Sequence, residues 1–482
     1  MLSILSAGTY VPRYRIARSD IVEANRWFAG GMGALAKGAR AYANWDEDAV
    51  TMAVAAGRIA LAGHDLPGDV RLASTTAPFA DRQNAGLVAA ALGLEEAVST
   101  LDLGGSARCG TSGLAAAVRS EPAEGGPILL CAAEHRSARA GSSEELTSGD
   151  GAAALLLGHG EGIAKILGAA QRSVDFVDHY RAADREFNYG WEERWIRDEG
   201  YAKLVPPVVA EALAAAGLAG SDVDRFILPA PTPAIATSLA KRAGVREGAV
   251  ADTLFATVGF TGAAHPLLML AAALETAGAG ERIVVVGFGQ GVDVIVLETT
   301  SAAADHRPVP SFADQISRGL STGGYMRYLA FNKLVEREHG IRAELDLQTA
   351  PTIMYRNRRM LFGFFGGKCD RCGAVQFPKT PICVNPNCGA HDSQHNHCFA
   401  DTSASLQSFT ADRLTYCPDP PALYGMVRFQ EGGCLMMDIT DALPDEVEAG
   451  RPLSMVFRIK AEDERRGIKR YFWKATPAAE RV

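Results

Sequence analysis

The stretch that decides the organisation of the C-terminal third is Cys369-Asp-Arg-Cys372, followed by Cys383-Val-Asn-Pro-Asn-Cys388. Two close cysteine pairs have the spacing of a small knuckle in which four thiolates hold one zinc ion tetrahedrally. Gly373 and Gly389 follow the two pairs, and glycine readily adopts the positive φ that such turns need. We therefore predict a structural zinc ion held by Cys369, Cys372, Cys383 and Cys388. The alternative is a set of unbound or redox-active cysteines.

The bulk composition is that of a globular protein with several domains. The 482 residues exceed what one hydrophobic core accommodates, and 48% hydrophobic with 22% charged residues argues against disorder. A net charge of −8 argues against nucleic-acid binding. No apolar run reaches the roughly 20 residues of a membrane span, and the N-terminus lacks the basic region of a signal peptide. Nine cysteines, four of them in the knuckle, favour a reducing cytoplasm over a disulfide framework.

Residues 1–300 alternate short apolar runs with alanine-rich periodic stretches. The runs Ile128–Cys131, Ala152–Leu157 and Ile283–Val286 predict buried strands, and the stretches Asp48–Ala62 and Val208–Ala216 predict helices. This alternation predicts a layered α/β architecture.

The pattern changes after residue 300. Pro308 and Pro310 follow a segment that reads as a linker, and a helical stretch covers roughly residues 311–339 with an interruption at Gly323-Gly324. Beyond the cysteines, three short strands are separated by proline and glycine turns and predict a small closed β-barrel: Tyr424–Phe429, Cys434–Ile439 and Leu453–Ile459.

Several stretches carry a family resemblance in the expected order: Ile4–Pro12, Asp46–Ala53, Gly105–Leu114, Gly149–Leu155, Val258–Leu267 and Val285–Gly291. On these stretches the first 300 residues resemble the thiolase superfamily, in particular its 3-hydroxy-3-methylglutaryl-CoA synthase and β-ketoacyl synthase III branch. The tail resembles the zinc-ribbon plus OB-fold proteins that accompany acyl-CoA thiolases. The resemblance implies a layered α-β-α-β-α fold of two similar halves, a homodimer, and a tunnel for the pantetheine arm of coenzyme A.

The predicted domains follow from the pattern and the resemblance together. They are a thiolase-like N-terminal half at 1–165, a thiolase-like C-terminal half at 166–300, a linker and helix at 301–349, a zinc ribbon at 350–395 and an OB-fold at 400–482.

The resemblance also implies a catalytic set that this sequence does not keep. Condensing enzymes of the family use a thiolate at a helix N-terminus, together with histidine, asparagine and glutamate. The matching positions hold other residues: Ala107 for the nucleophile, Thr75 or Thr76 for the glutamate, Pro229 for the histidine and Phe260 for the asparagine. Either the site has been rebuilt or its covalent chemistry is gone.

Two rebuilt sites are open on the sequence. In the first, Cys109 is the nucleophile and His265 the base; the alternative is that Cys109 is a small buried hydrophobe and His265 a core or surface residue. In the second, an aldol-type reaction needs no acyl-enzyme, and His179, Tyr180 or Tyr189 from a loop-like aromatic stretch supplies the acid or base. Structural packing is the alternative for those rings.

Two further groups of residues have both a functional and a structural interpretation. Basic clusters at Arg356–Arg359 and Arg465–Arg470 suit coenzyme A phosphates, or form a solvated charged face. His391, His395, His397 and Cys398 follow the knuckle and offer a replacement zinc ligand, or form a polar loop.

The sequence thus predicts a cytoplasmic acyl-CoA enzyme resembling HMG-CoA synthase that makes or breaks a carbon–carbon bond next to a thioester. The alternative is a non-catalytic acyl-CoA-binding scaffold that docks a separate thiolase through its zinc-ribbon/OB module.

Overall fold

The computed structural model describes residues 2–120, 126–230, 232–321, 324–338 and 350–478. Its contacts form two compact units. The first comprises Met1–Ala43, Asp48–Gly86 and Ala97–Val335, and the second comprises Asn44–Glu47, Leu87–Glu96 and Glu336–Val482. Residues 339–349 of the predicted linker and helix lie outside the described residues.

The strands of the first unit are, in chain order, β1 (Leu2–Tyr10), β2 (Tyr14–Ala17), β3 (Ala39–Tyr42), β4 (Asp69–Ala73), β5 (Ser99–Leu103), β6 (Ile128–Glu134), β7 (Gly151–His159), β8 (Ala164–Ser173), β9 (His179–Tyr180), β10 (Tyr189–Gly190), β11 (Arg225–Ile227), β12 (Arg282–Phe288) and β13 (Gly291–Thr299).

The helices of the described residues are α1 (Arg18–Asn25), α2 (Ala49–Leu61), α3 (Asn84–Ala91), α4 (Cys109–Arg119), α5 (Ser143–Thr147), α6 (Glu193–Trp195), α7 (Ala202–Ala215), α8 (Pro233–Arg242), α9 (His265–Leu274), α10 (Phe312–Ser317), α11 (Tyr325–Phe331), α12 (Pro351–Arg356) and α13 (Arg358–Leu361). Among them, none combines the length and the apolarity needed to cross a bilayer.

The main sheet of the first unit repeats one topology twice. Its strand order is β11-β12-β13-β8-β1-β7-β6-β4-β5. In the first half, β5, β4 and β6 are parallel and β7 and β1 follow antiparallel. In the second half, β11 and β12 are parallel, β13 and β8 follow antiparallel, and a parallel bridge from Phe226 to Val250 stands where β5 stands in the first. The two half-sheets join between β1 and β8.

Helices cover this sheet in layers. Helix α2 packs on β1 and β7, and α7 packs on β8 and β13. Helices α4 and α9 pack on each other and on strands of both halves, so they form the central layer. The Asp48 carboxylate accepts a hydrogen bond from Thr51 N at 3.0 Å and starts α2, as the predicted acidic helix start requires. The predicted layered α/β fold of two similar halves is confirmed.

The helical stretch predicted at residues 311–339 is two short helices, α10 and α11, in the described residues. Gly324, with φ at 114°, precedes α11 and accounts for the break on that side. The predicted partner in the interruption, Gly323, lies outside the described residues.

The strands of the second unit are β14 (Phe365–Cys369), β15 (Val375–Gln376), β16 (Gln394–Cys398), β17 (Ala404–Asp412), β18 (Ala422–Phe429), β19 (Cys434–Asp438), β20 (Pro452–Asp463) and β21 (Ile468–Pro477). The first three form a small antiparallel sheet. The last five form a sheet of order β19-β18-β17-β20-β21. A parallel bridge between Ile439 and Ala475 brings its two edges together.

A buried cluster of charges ties the segment Asn44–Glu47 into the second unit. The Asp46 carboxylate accepts hydrogen bonds from Lys474 Nζ at 2.8 Å and from Thr440 Oγ1 at 2.9 Å. Arg458 Nη2 lies 3.0 Å from Glu47 Oε1. Asp46, Arg458 and Lys474 are each at most 2% exposed, so every charge here depends on its partners.

Candidate active site

Helix α4 begins beside a glycine-rich loop, and Ala107 faces that loop. The Ser106 hydroxyl donates a hydrogen bond of 2.7 Å to the Gly289 carbonyl oxygen. A Cβ on Gly289 would lie 3.3 Å from the Cβ of Ala107, so only a glycine permits this approach without a shift. The helix N-terminus provides free N–H groups. Position 107 therefore carries a methyl group in the environment that suits a nucleophile.

The start of α4 is fixed by one buried carboxylate, Asp293 on β13. Its oxygens accept hydrogen bonds from Arg108 Nη1 at 2.7 Å, Thr111 Oγ1 at 3.0 Å, Ser112 Oγ at 2.6 Å and Gln171 Nε2 at 2.7 Å. The first turn of the helix therefore has a defined position against the sheet, which a reactive site requires.

Cys109, the predicted nucleophile, lies in the apolar core. It is 4% exposed and belongs to the same cluster as Leu114 and Ala263. Burial, and next to it the charge of Glu134, raise the pKa of the Cys109 thiol far above its usual range. Because the thiolate is the nucleophilic form, this environment gives Cys109 the character of a small hydrophobe.

His265, the predicted base, has both ring nitrogens engaged by its own neighbourhood. Nδ1 accepts a hydrogen bond from Thr261 N at 3.1 Å, and Nε2 donates to the Thr253 carbonyl oxygen at 2.8 Å. Burial lowers the pKa of His265 to about 4. Within the described residues no hydrogen bond joins His265 to Cys109, so the structure does not assemble the predicted pair, and both environments favour packing roles.

A carboxylate that the sequence analysis did not select lies at the end of β6. Glu134 is fully buried, and its Oε1 accepts hydrogen bonds from Thr75 N at 2.7 Å and Thr75 Oγ1 at 2.9 Å. Its Oε2 accepts from Thr76 Oγ1 at 2.8 Å. Thr75 and Thr76 are the positions matched to the family's glutamate, so a carboxylate is present at this place but comes from a different strand.

The neighbours of Glu134 are polar on one side. His135 N donates to Thr76 Oγ1 at 2.9 Å, and His135 Nε2 lies 3.2 Å from Asn332 Oδ1. A Cβ on Gly262 would lie 3.3 Å from the carboxyl carbon of Glu134, which places the segment after Phe260 against the carboxylate. Glu134, Thr76, His135 and Asn332 thus form one connected polar group at the end of β6.

The four cysteines of the knuckle converge. One sulfur from each of Cys369, Cys372, Cys383 and Cys388 lies within 4.8 Å of the other three. Tetrahedral zinc with Zn–S bonds of about 2.3 Å sets sulfur–sulfur distances of about 3.8 Å, and the Cys369–Cys388 and Cys372–Cys383 sulfurs are 3.9 and 3.5 Å apart. The donor set and spacing therefore fit zinc. Gly373 and Gly389 have φ of 73° and 55°, as predicted.

The nearby histidines do not join this cluster. His395 Nδ1 lies 2.7 Å from Asp370 Oδ1, and Cys398 Sγ is directed to the Gly363 carbonyl oxygen at 3.7 Å. Both residues lie on strand β16 rather than in the polar loop that the sequence analysis gave as the alternative.

Comparisons with known proteins agree with this geometry. The family model for the C-terminal domain of 3-oxoacyl-[acyl-carrier-protein] synthase III matches residues 213–297, and the model for the rubredoxin-like zinc ribbon of ChsH2 matches residues 362–393. Hydroxymethylglutaryl-CoA synthase of Aeropyrum pernix is 29% identical over 313 residues, which cover 63% of this chain and 86% of the relative. Over this stretch the chain is similar in sequence to hydroxymethylglutaryl-CoA synthase.

Solved structures show that the fold is shared with this thiolase-like family. HMG-CoA synthase complexed with CoA covers 73% of this chain and 95% of its own length, with a TM-score of 0.57 and 17% identity. MvaS in complex with 3-hydroxy-3-methylglutaryl coenzyme A covers 68% and 91%, with a TM-score of 0.58 and 20% identity. The predicted resemblance to HMG-CoA synthase is confirmed by the sequence relatives, which indicate a condensing enzyme of the thiolase superfamily. The two solved structures show the shared fold.

Two of the family positions carry apolar side chains, Phe260 and Pro229. The ring of Phe260 lies 5.2 Å from that of His265 and has the Arg136 guanidinium 5.7 Å from its centroid. Pro229 keeps only its carbonyl as a polar group, and this oxygen accepts a hydrogen bond from the buried Tyr201 hydroxyl at 3.4 Å. Neither position retains a group that titrates.

The aromatic stretch that carries the predicted acid or base of the aldol route lines a groove of about 570 Å³. His179, Tyr180, Tyr189 and Trp191 are among its lining residues. Tyr180 and Tyr189 are about half exposed with ring centroids 5.6 Å apart, and His179 Nδ1 lies 3.0 Å from Asp178 Oδ2. The acid/base role proposed for this stretch stays a prediction.

The predicted basic clusters are engaged with carboxylates. Arg359 pairs with Glu95 at 3.0 Å, Arg358 pairs with Glu96, and Arg466 pairs with Asp463 at 2.6 Å. The Glu95 and Glu96 side chains are exposed, as on a solvated charged face, whereas Asp463 is buried. Binding of coenzyme A phosphates by these arginines stays a prediction.

Proposed function

We propose that this chain is an acyl-CoA enzyme that forms or cleaves a carbon–carbon bond next to a CoA thioester without an acyl-cysteine intermediate. The observation that carries this proposal is the alanine at position 107, which faces Gly289 at the start of α4. An alanine cannot hold an acyl group, and the nearest thiol in sequence, Cys109, is buried in apolar core. An aldol-type reaction needs removal of a proton from the carbon next to the thioester carbonyl and donation of a proton to the oxygen of the second carbonyl group.

Intact-protein mass after incubation with acetyl-CoA and acetoacetyl-CoA tests the absence of an acyl-enzyme. We expect no adduct on the wild type or on Cys109→Ala. The positive control is Ala107→Cys, which places a thiol at the helix N-terminus and should acquire an acyl adduct. An adduct on the wild type that disappears in Cys109→Ala would overturn the proposal and establish a condensing or acyltransfer route through Cys109.

Turnover tests the carbon–carbon chemistry itself. Short 3-hydroxyacyl-CoA thioesters are incubated with the protein, and the expected result is cleavage to a smaller acyl-CoA and a carbonyl compound, measured by liquid chromatography and mass spectrometry. Binding of acyl-CoA without any turnover would favour the second candidate, a non-catalytic scaffold. The loss of titrating side chains at Ala107, Pro229 and Phe260 is the observation in favour of that candidate.

Several properties accompany the proposed function. A zinc ion on the four cysteines would be structural, because four thiolates leave no open position for substrate. The strand order β19-β18-β17-β20-β21 with its closing bridge supports an OB-type barrel. We also propose a homodimer, coenzyme A as the acyl carrier and a separate thiolase as a partner. A cytoplasmic location is proposed as well, which nine cysteines without a disulfide support.

A further inference from the structure

Glu134 stands where two parallel strands end side by side. Strands β4 and β6 pair with Ala73 level with Ala132. Thr75 and Glu134 each follow these paired residues by two positions and therefore lie level with each other. Their side chains form a hydrogen bond. Parallel strands present their carboxyl ends at one edge of a sheet. A carboxylate that is absent after one strand can therefore be replaced by a carboxylate at the end of the neighbouring strand.

The hydrogen bonds of Glu134 leave it one acceptor site. A carboxylate has about four lone-pair sites. Thr75 N–H, the Thr75 hydroxyl and the Thr76 hydroxyl supply three protons at 2.7 to 2.9 Å. Among the described residues no cation forms an ion pair with Glu134. The carboxylate is thus oriented by neutral donors and retains one site for a further proton.

Its surroundings are the three segments that carry the family's reactive groups. Thr75 and Thr76 match the glutamate, and Gly262 follows Phe260, which matches the asparagine. The first turn of α4 is also close, because the charge of Glu134 acts on Cys109 and a Cβ on Gly110 would lie 2.4 Å from the Ala263 carbonyl oxygen. Glu134 is a buried carboxylate placed where these segments meet, and the Arg136 guanidinium reaches the same point beside Gly262.

We propose that Glu134 is the proton-transferring carboxylate of this chain and replaces, from β6, the glutamate absent at Thr75 and Thr76. This inference rests on the proposed function. His135 and Asn332 extend the polar group and position the end of β6 against Thr76.

The step balances without a further reactant. Glu134 takes the proton from the carbon next to the thioester carbonyl, and the C–H electron pair forms an enolate. The enolate carbon bonds to the carbonyl carbon of the second substrate, whose C=O pair becomes an alkoxide. Protonated Glu134 returns its proton to this alkoxide, giving a 3-hydroxyacyl-CoA and the original carboxylate. Cleavage is the same sequence reversed.

The decisive experiment measures exchange of the α-protons of acetyl-CoA and butyryl-CoA with deuterium oxide, alongside turnover of 3-hydroxyacyl-CoA. A positioned general base contributes about 10²- to 10⁴-fold. We expect Glu134→Gln to lose at least about 100-fold in both rates while acyl-CoA affinity changes little. The matched control is Glu145→Gln, an equally buried carboxylate held by Gly141 N and the Tyr325 hydroxyl, which should keep wild-type rates.

A carboxylate transfer separates catalysis from folding. Thr76 Oγ1 lies 2.8 Å from Glu134 Oε2, so the double variant Thr76→Glu, Glu134→Thr returns the carboxylate to the neighbouring strand. We expect it to recover at least about tenfold over Glu134→Gln. If Glu134→Gln fails to fold, Glu134→Asp tests the role of the carboxylate instead. This variant keeps the charge but moves the carboxylate oxygens back by one methylene group. It should lower turnover at unchanged acyl-CoA affinity.

The outcomes separate the two proposals. Wild-type exchange that persists in a folded Glu134→Gln variant would overturn the role of Glu134 and leave the proposed function standing. A wild type that binds acyl-CoA but shows neither exchange nor cleavage would overturn the proposed function and, with it, the base.

Discussion

The two units of this protein differ in the interactions that stabilise each of them internally. In the first unit a large apolar cluster runs through α4, β6, β7 and α9, and chemically capable side chains such as Cys109 lie inside it. In the second unit the four converging cysteines and the Asp46–Arg458–Lys474 cluster add structural contacts to an aromatic core around Phe364 and Trp473. A unit built on apolar packing can exchange its reactive residues and keep its fold. The zinc ligands and buried charges of the second unit cannot be exchanged without the loss of structural contacts.

The largest effect is expected from the zinc ligands. Cys369→Ser and Cys383→Ser should each release zinc and unfold the ribbon, because metal binding supplies its folding energy. Zinc content and proteolysis of the ribbon are the measurements. Cys434→Ser, at an exposed cysteine outside the cluster, is the control and should keep full zinc. Full zinc content in both ligand variants would contradict this account.

The next effect is expected at the buried charges. Asp46→Ala removes the carboxylate that pairs with the buried Lys474 at 2.8 Å and one of the carboxylates around the buried Arg458, and should cost about 3–5 kcal/mol in the free energy of unfolding. The control is Asp438→Ala, which breaks an exposed pair with Lys460 and should cost less than about 1 kcal/mol. Urea unfolding measures both. If both variants lowered the free energy of unfolding equally, the buried charges would stabilise the second unit no more than an exposed ion pair does.

The buried His265 of the first unit should make the free energy of unfolding depend on pH. Burial lowers the pKa of His265 to about 4 from 6.5, so between these values the unfolded chain binds more protons than the folded one. Folding stability should therefore fall by up to about 3 kcal/mol as pH drops from 6.5 to 4. His265→Gln should show a shallower pH dependence than the wild type in urea unfolding. Identical slopes would mean that His265 is not buried and neutral.

The smallest effect is expected at Cys109. Cys109→Ala removes one buried sulfur and should cost about 1 kcal/mol, with turnover of acyl-CoA unchanged. Thermal unfolding and the 3-hydroxyacyl-CoA cleavage assay check the two halves of this statement. A folded variant without turnover would place chemistry back on Cys109 and break the contrast between the two units.

The zinc knuckle was predictable because its ligands lie close together in the sequence. Two short turns bring Cys369 to Cys372 and Cys383 to Cys388, and Gly373 and Gly389 identify those turns. The layered fold was predictable for a related reason, since runs such as Ile128–Cys131 become fully buried strands. Local patterns therefore determined both.

The reactive end of β6 was not predictable in the same way. Glu134 is 59 residues from Thr75, and only the pairing of β4 with β6 brings them together. One signal was present: a charged residue closes a run of apolar strand residues. The burial of Cys109 was not predictable for a complementary reason, because spacing along the chain does not say which side of α4 faces the core.

The segment Asn44–Glu47 has a consequence for how this gene can be divided. Its Asp46 meets Thr440 across 394 positions of sequence, so the barrel receives a short insert from the opposite end of the polypeptide. A fragment cloned from residue 336 onward would leave Arg458 and Lys474 without that carboxylate. Recombination at the linker would likewise have to carry the four residues Asn44–Glu47 together with the barrel.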